Sequence, residues 1–173
     1  RVMIAIAIAN NPQIIIADEP TTALDAVVQN EILKLLKNLA KNLNIAILLI
    51  SHNRHAVAKL ADEIIEIGDK INHNLEIKRD FENQDENASQ KILEIKNLSV
   101  RHREFYANKN LNFSLKSNQN LGIIGESGSG KSTVAKALVN LIKFSGEINF
   151  FGDKNWQKNS GGNNEPSFIN GLI

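Results

Sequence analysis

The segment from Gly125 to Thr133, Gly-Glu-Ser-Gly-Ser-Gly-Lys-Ser-Thr, restricts what this chain can fold into more than any other stretch. It fits the spacing Gly, four residues, Gly, Lys, Ser/Thr. It also lies between a short apolar run, Leu121 to Ile124, and a stretch where Val134, Leu138, Leu141 and Ile142 recur at helical spacing. A buried strand running through a glycine-rich loop into a helix is therefore predicted. Gly125, Gly128 and Gly130 admit backbone angles that a side chain would block, so successive N–H groups of Gly125, Glu126, Ser127, Gly128, Ser129 and Gly130 are free to point at phosphate oxygens. The following helix adds the partial positive charge of its N-terminus. Lys131 is placed to reach the β and γ phosphates, Ser132 to ligate Mg²⁺, and Thr133 to close the cradle. The bland alternative, a Gly/Ser turn that happens to contain Lys, does not explain why strand, loop and helix are in register.

Far upstream, Ile14 to Ala17 reads as a second buried strand, ending in Asp18 and Glu19 before Pro20. Ligand chemistry in open α/β sheets gathers at the carboxyl ends of strands. An acidic residue there, Asp18, suits Mg²⁺, held directly or through water, and Glu19 suits a general base that polarises water. Taken alone, the pair reads equally well as an exposed turn. The sequel favours chemistry: Thr21 to Asp25 leads into a helical pattern with Val28, Ile32, Leu35, Leu36 and Leu39 on one face, and Ile45 to Ile50 is a further apolar run ending in Ser51 and His52. Two buried strands joined by a helix form a parallel βαβ unit with adjacent carboxyl ends. His52 then lies near Asp18 and Glu19, placed to hydrogen-bond a γ phosphate, though a lone His at a strand end is more often structural. His52 and His55 lack a third metal ligand.

These residues resemble the ATP-binding subunits of ABC transporters. The stretch from Ile14 to Asp25 looks like that family's Walker B motif and D-loop, Ser51-His52 like its switch histidine, Gly125 to Thr133 like its Walker A loop, and the stretch from Arg1 like the helix after its LSGGQ signature. The wording is most similar to the oligopeptide, dipeptide and nickel importers, some of which carry two ATPase domains in one polypeptide. The resemblance covers Arg1 to Gly68 and Ile92 to Gly152.

It implies ATP and Mg²⁺ as ligands: Mg²⁺ at Asp18 and Ser132, catalytic roles for Glu19 and His52, and Asp25 reaching across a domain interface toward the opposite Walker A loop. It also implies membrane permease subunits, a substrate-binding protein and a second ATPase domain as partners, with a cytoplasmic location on the inner face of the membrane. Because the Walker B part precedes the Walker A part, the expected organisation is tandem. Residues 1–68 would end a first ATPase domain, 69–91 would be a linker, and 92–173 would begin a second, with an irregular tail at 154–173. On that reading Asp18, Glu19 and His52 serve one ATP site and Lys131 another. The expected fold class is α/β, two halves of a P-loop NTPase with a mostly parallel sheet flanked by helices and an antiparallel part at the start of the second domain.

Departures qualify the resemblance. Neither half includes the helical subdomain with Q-loop and signature, and Ser160 to Asn163 follows Lys131 too closely to be a signature. The family's extension after the switch histidine is shortened. A base-stacking aromatic is expected upstream of the loop, with Phe105 and Tyr106 as candidates, although both suit packing under the strand of Leu111, Phe113 and Leu115 equally well. Other readings are a soluble tandem ABC ATPase acting on the ribosome, a truncated product without activity, and a circularly permuted single NTPase.

Composition enters only as a bound. The 173 residues are 42% hydrophobic and 23% charged, enough for one sizeable core or two half-domains of a soluble intracellular α/β protein. A net charge of +1 gives no reason to expect nucleic acid as a partner. Residues 69–90 are polar and acidic, as linkers are. Ile4 to Ala9 alternates Ile with Ala as a strand does, but Ala propensity and the resemblance favour a helix.

Overall fold

The computed structural model describes residues 2–68, 73–75, 90–151 and 157–159. In chain order the elements are α1 (Val2–Ile8), β1 (Ile14–Asp18), α2 (Ala26–Leu43), β2 (Ala46–Ile50), α3 (Arg54–Leu60), β3 (Glu63–Glu66), β4 (His73–Leu75), β5 (Lys91–His102), β6 (Phe105–Lys116), β7 (Asn120–Ile124), α4 (Lys131–Leu138), β8 (Ser145–Phe150) and β9 (Gln157–Asn159). The Ile/Ala alternation at the start resolves as helix α1, with Ile4 and Ala7 buried.

The described strands make two sheets. One has the order β1-β2-β7-β3-β4, parallel throughout except for β4, which runs antiparallel to β3. The other, β6-β5-β8-β9, is antiparallel. The fold is thus mixed α/β, with the parallel sheet and the antiparallel part in the roles expected. The strand before the phosphate loop, β7, lies between β2 and β3, so residues from both ends of the chain share one sheet.

Side-chain alternation explains why the parallel strands are apolar throughout. On one face Ile14, Ile16, Leu48, Ile50, Leu121 and Ile123 pack with the antiparallel sheet and α4; on the other Ala17, Ile47, Leu49 and Ile64 pack under α2 and α3. Burial on both faces leaves no position for a polar residue in β2, whose five residues are all buried. The seam between β7 and α3 is tight. A Cβ at Gly122 would lie 2.2 Å from Val57 Cγ1 and 3.1 Å from Ala61 Cβ, so only glycine lets the helix approach this strand.

Helix ends depart from periodicity. α2 opens on Asp25, whose Oδ1 accepts from the N–H groups of Val27 (2.9 Å) and Val28 (3.0 Å), and closes on Asn44 at φ 54°. The helix after the loop is shorter than its spacing suggests. It stops at Leu138 because Asn140 turns left-handed (φ 56°), with its N–H bonded to Ala137 O and that of Leu141 to Lys136 O. Leu141, expected on the apolar face, is exposed, while Ile142 packs against the core from outside the helix. Two short strands fall where the sequence shows no period: His73–Leu75, within the expected linker, pairs with β3, and Gln157–Asn159, within the expected tail, pairs with β8. Backbone pairing along an existing edge forms these strands, and it needs no apolar period. Ser160 to Asn163 lies outside the described residues.

Asn108 of β6 is buried, and among the described residues neither its amide nitrogen nor its oxygen meets a hydrogen-bond partner. An unpartnered buried amide is costlier than an apolar group of the same shape. Asn108→Leu is accordingly expected to stabilise the fold by about 1 kcal/mol, read as a rise in the urea midpoint without change of slope.

Candidate nucleotide site

Three strands end together at one edge of the parallel sheet. The Glu19 N–H donates to Ile50 O (2.9 Å), and the Ser51 N–H donates to Ile123 O (3.0 Å). This register sets the residues after β1, β2 and β7 side by side, so Glu19, His52 and the phosphate loop border one cleft of about 400 Å³. Glu19, His52, His102, Phe105, Ala107, Ser127, Gly128, Gly130, Lys131, Ser132 and Thr133 line it.

The loop is held from within and from β6. Lys131 is buried, and its Nζ donates to Gly125 O (2.9 Å) and Glu126 O (2.7 Å), which wraps the loop around the ammonium group. Gly130 caps α4 at φ 91°, and a Cβ there would lie 2.3 Å from Ala107 O. The backbone passes so close to β6 that this position has room for a hydrogen atom only. Ser129 donates its N–H to Glu126 O (3.2 Å), tightening the turn.

The two halves meet directly where the Ser132 hydroxyl donates to Asp18 Oδ1 at 3.1 Å. A hydroxyl and a carboxylate converging beside a phosphate cradle form an all-oxygen donor pair. That pair suits Mg²⁺, which takes few protein ligands and completes its shell with water and phosphate oxygens. Among the described residues no group of three His, Cys, Asp or Glu side chains is gathered for a metal.

Glu19 sits at φ 53°, an uncommon conformation for a residue with a side chain, and its carboxylate collects several donors. Thr22 Oγ1 donates at 2.8 Å, Ser51 Oγ at 3.3 Å and the His52 N–H at 3.0 Å, while His52 Nδ1 lies 2.8 and 2.9 Å from the two carboxylate oxygens. With its proton on Nδ1, His52 donates to Glu19 and turns Nε2 away from it. Burial by itself raises the Glu19 carboxyl, but the hydrogen bonds from His52 and Thr22 and the His52 charge outweigh it and leave the group below its usual 4.5. A lowered carboxyl pKa stabilises the fold above about pH 4.5, and that contribution disappears as pH falls through the folded-state value. The stability advantage of the wild type over Glu19→Gln is therefore expected to shrink as pH falls below about 4.5, in urea unfolding at a series of pH values.

Of the other residues singled out from sequence, Asp25 is not brought to the cleft; its carboxylate caps α2. Phe105 and Tyr106 are both exposed rather than packed under β6. They point to opposite faces of the hairpin. Phe105 lines the cleft, while the Tyr106 ring lies near the cations of Arg101 (6.0 Å) and Lys109 (5.8 Å). His102, which sequence reasoning missed, joins Phe105 with ring centroids 5.6 Å apart. Arg103 and Glu104 make a two-residue turn, and a turn of that length sets His102 opposite Phe105.

Residues 108–168 match the family model described as ABC transporter. The chain is 36% identical over 186 residues to the uncharacterized ABC transporter ATP-binding protein YejF of Escherichia coli (strain K12), covering 88% of this chain and 35% of that protein. It is 30% identical over 212 residues to the glutathione import ATP-binding protein GsiA of Salmonella choleraesuis (strain SC-B67), and 32% identical over 212 residues to GsiA of Shigella flexneri; each match covers 89% of this chain and 34% of the relative. The chain thus spans about a third of the length of the curated relatives it matches. No solved structure matches it.

Proposed function

We propose that this chain, which carries ABC transporter ATP-binding sequence, is part of the ATP-binding and ATP-hydrolysing component of an importer that drives uptake of peptides or related small substrates through a membrane permease. The observation that carries the nucleotide part is the phosphate loop, wrapped on Lys131 and tied to Asp18 through Ser132. Import and the peptide class rest on the relatives, GsiA being named for glutathione import. The nickel alternative has no further support. Among the described residues no helix is long and apolar enough to cross a membrane, so attachment to the inner face of the membrane falls to permease subunits. A substrate-binding protein would deliver the cargo.

We read the chain as the end of one ATPase domain joined to the start of a second. One continuous alignment to relatives three times as long runs through both parts in this order, which supports a tandem layout. The aligned 212 positions exceed the 173 residues of this chain, so the relatives carry residues that it lacks, in keeping with a shortened join.

In the chemistry proposed, the loop N–H groups and Lys131 bind and orient the phosphates. Ser132 would hold Mg²⁺ on this loop, and on the tandem reading Asp18 would hold it in the equivalent place at the first domain's loop, its charge neutralising the phosphate oxygens. Glu19 accepts a proton from water, and His52 holds Glu19 until a γ phosphate competes for the imidazole. Phe105, with His102 beside it, offers the base a stacking surface. Asp25 acts across a domain interface rather than in this cleft. Oriented phosphate contacts are most of what catalysis of this kind consists of, and without a facing signature this chain by itself is expected to hydrolyse ATP poorly.

Titration with a fluorescent ATP analogue and Mg²⁺ tests the nucleotide reading. Lys131→Ala is expected to weaken binding by roughly 10- to 100-fold, the usual range for a lost hydrogen bond to a charged group; equal affinity in both proteins would count against it.

A further inference from the structure

We propose that Asn108 is a positioning residue for the phosphate loop: its side-chain amide donates to the back of the loop at Gly130 once phosphate fills the cradle, and so favours the loaded form over the empty one. This rests on the nucleotide reading above and adds to it a residue that touches no phosphate. Every group involved lies on β5, β6 or the loop itself, so nothing upstream of β5 enters.

Asn108 stands in β6 opposite Val100 of β5, in a strand whose other buried residues, Leu111, Phe113 and Leu115, are apolar. It is 5% exposed, and both its Nδ2 and its Oδ1 lack a hydrogen-bond partner among the described residues. A leucine of similar shape would suit that place better, because an amide taken out of water with nothing to bond is a net cost. The cost falls at a particular spot. A Cβ built on Gly130 would lie 2.7 Å from Asn108 Nδ2 and 2.3 Å from Ala107 O, so the amide nitrogen lies against the glycine from which α4 starts. On the loop, the Ser129 hydroxyl directly before this glycine is also buried without a partner among the described residues. Two unpartnered polar side chains thus adjoin Gly130, one on the strand in contact with it and one on the preceding residue.

A peptide group is planar, and its N–H and C=O point in opposite directions. When a loop N–H turns to a phosphate oxygen, the carbonyl of the same peptide turns away from the cradle. At Gly130 what lies behind the loop is β6, and a carbonyl turned into that contact needs a donor. Asn108 Nδ2 is a donor with nothing to bond. Filling the cradle therefore satisfies the loop N–H groups on one side and the amide N–H on the other. The difference between the two forms is what acts on binding, because a group shifts an equilibrium only by as much as it distinguishes the states.

The test titrates the intact chain with the fluorescent ATP analogue and Mg²⁺ and follows urea unfolding with and without the analogue. Asn108→Leu keeps the shape and removes the hydrogen-bonding groups. In this variant the urea midpoint of the empty chain is expected to rise while affinity for the analogue falls by about tenfold, as for loss of one buried hydrogen bond made only in the loaded form. The gain in midpoint should then vanish at saturating analogue, since binding stabilises the variant less than the wild type. Asn108→Thr, which returns a hydroxyl donor at a strand position, is expected to recover most of the affinity. An amide that only fills space would not move stability and affinity in opposite directions. If Asn108→Leu binds as tightly as the wild type while Lys131→Ala binds more weakly, or if Asn108→Thr is no better than Asn108→Leu, the amide does not position the loop and the proposal fails alone. A fall in the midpoint of the empty Asn108→Leu chain would mean that the amide is already bonded in the empty form, which overturns it as well. If Lys131→Ala also binds as the wild type does, the nucleotide reading fails and the role of Asn108 with it.

Discussion

Leu48→Ala is expected to lower the free energy of unfolding by about 3–4 kcal/mol and to release both ends of the chain together. Leu48 is wholly buried in β2, paired with Ile16 of β1 on one side and Leu121 of β7 on the other. Removing most of its side chain takes away transfer free energy and leaves a cavity in a layer of branched residues that relaxes little. Because strands from both ends flank the site, the loss spreads across the join. Far-ultraviolet circular dichroism in urea should show one transition shifted to lower denaturant. Amide exchange in β1 and in β7 should accelerate by the same factor, since both would then open only through the shared unfolding. Separate transitions for the two regions would mean that the sheet is not continuous.

The elements that were legible in the sequence are those whose signal is local. The run from Ile45 to Ile50 needed no partner to be read as a buried strand, and the glycine loop announces its own conformation through residue type and spacing. The cap at Asp25 and the early stop of α4 at Asn140 are also local, but they depend on how one side chain or one φ angle is used. Leu141 at helical spacing therefore misled. What the sequence could not show is pairing between distant segments. Nothing in Asn120–Ile124 says that its neighbours are Ile47–Ile50 and Glu63–Glu66, because a buried parallel strand is apolar on both faces whatever lies beside it. The same holds for β4 and β9, polar strands formed by edge pairing that composition assigned to linker and tail. In the cleft, the loop and the acidic pair were read from type and spacing. His102 was not, since a histidine in a strand has no signature until the turn at Arg103 and Glu104 sets it against Phe105.

Gly130→Val tests how far the loop's shape, separately from its charge, makes the site. The substitution forces a β-branched residue to φ 91° and drives a Cβ toward Ala107 O, a backbone atom that cannot rotate away. Strain of this kind and the accompanying overpacking together are expected to destabilise the fold by about 2–4 kcal/mol. The loop must move off β6 to relieve the contact, carrying the α4 N-terminus and Lys131 with it, so affinity for the Mg²⁺-bound ATP analogue should fall by roughly 100-fold or more, a penalty of about 3 kcal/mol. Gly68→Ala, at a glycine where an added methyl group would meet no atom of the described residues within 4 Å, is the matched control and should stay within about 0.5 kcal/mol of wild type. Lys131→Ala acts from the other side of the loop, since it removes the ammonium group that holds Gly125 O and Glu126 O and adds no atom against Ala107 O. If Gly130→Val bound nucleotide as well as the wild type, the close approach to β6 would be incidental, and the cradle would have to be formed by some other arrangement of the loop.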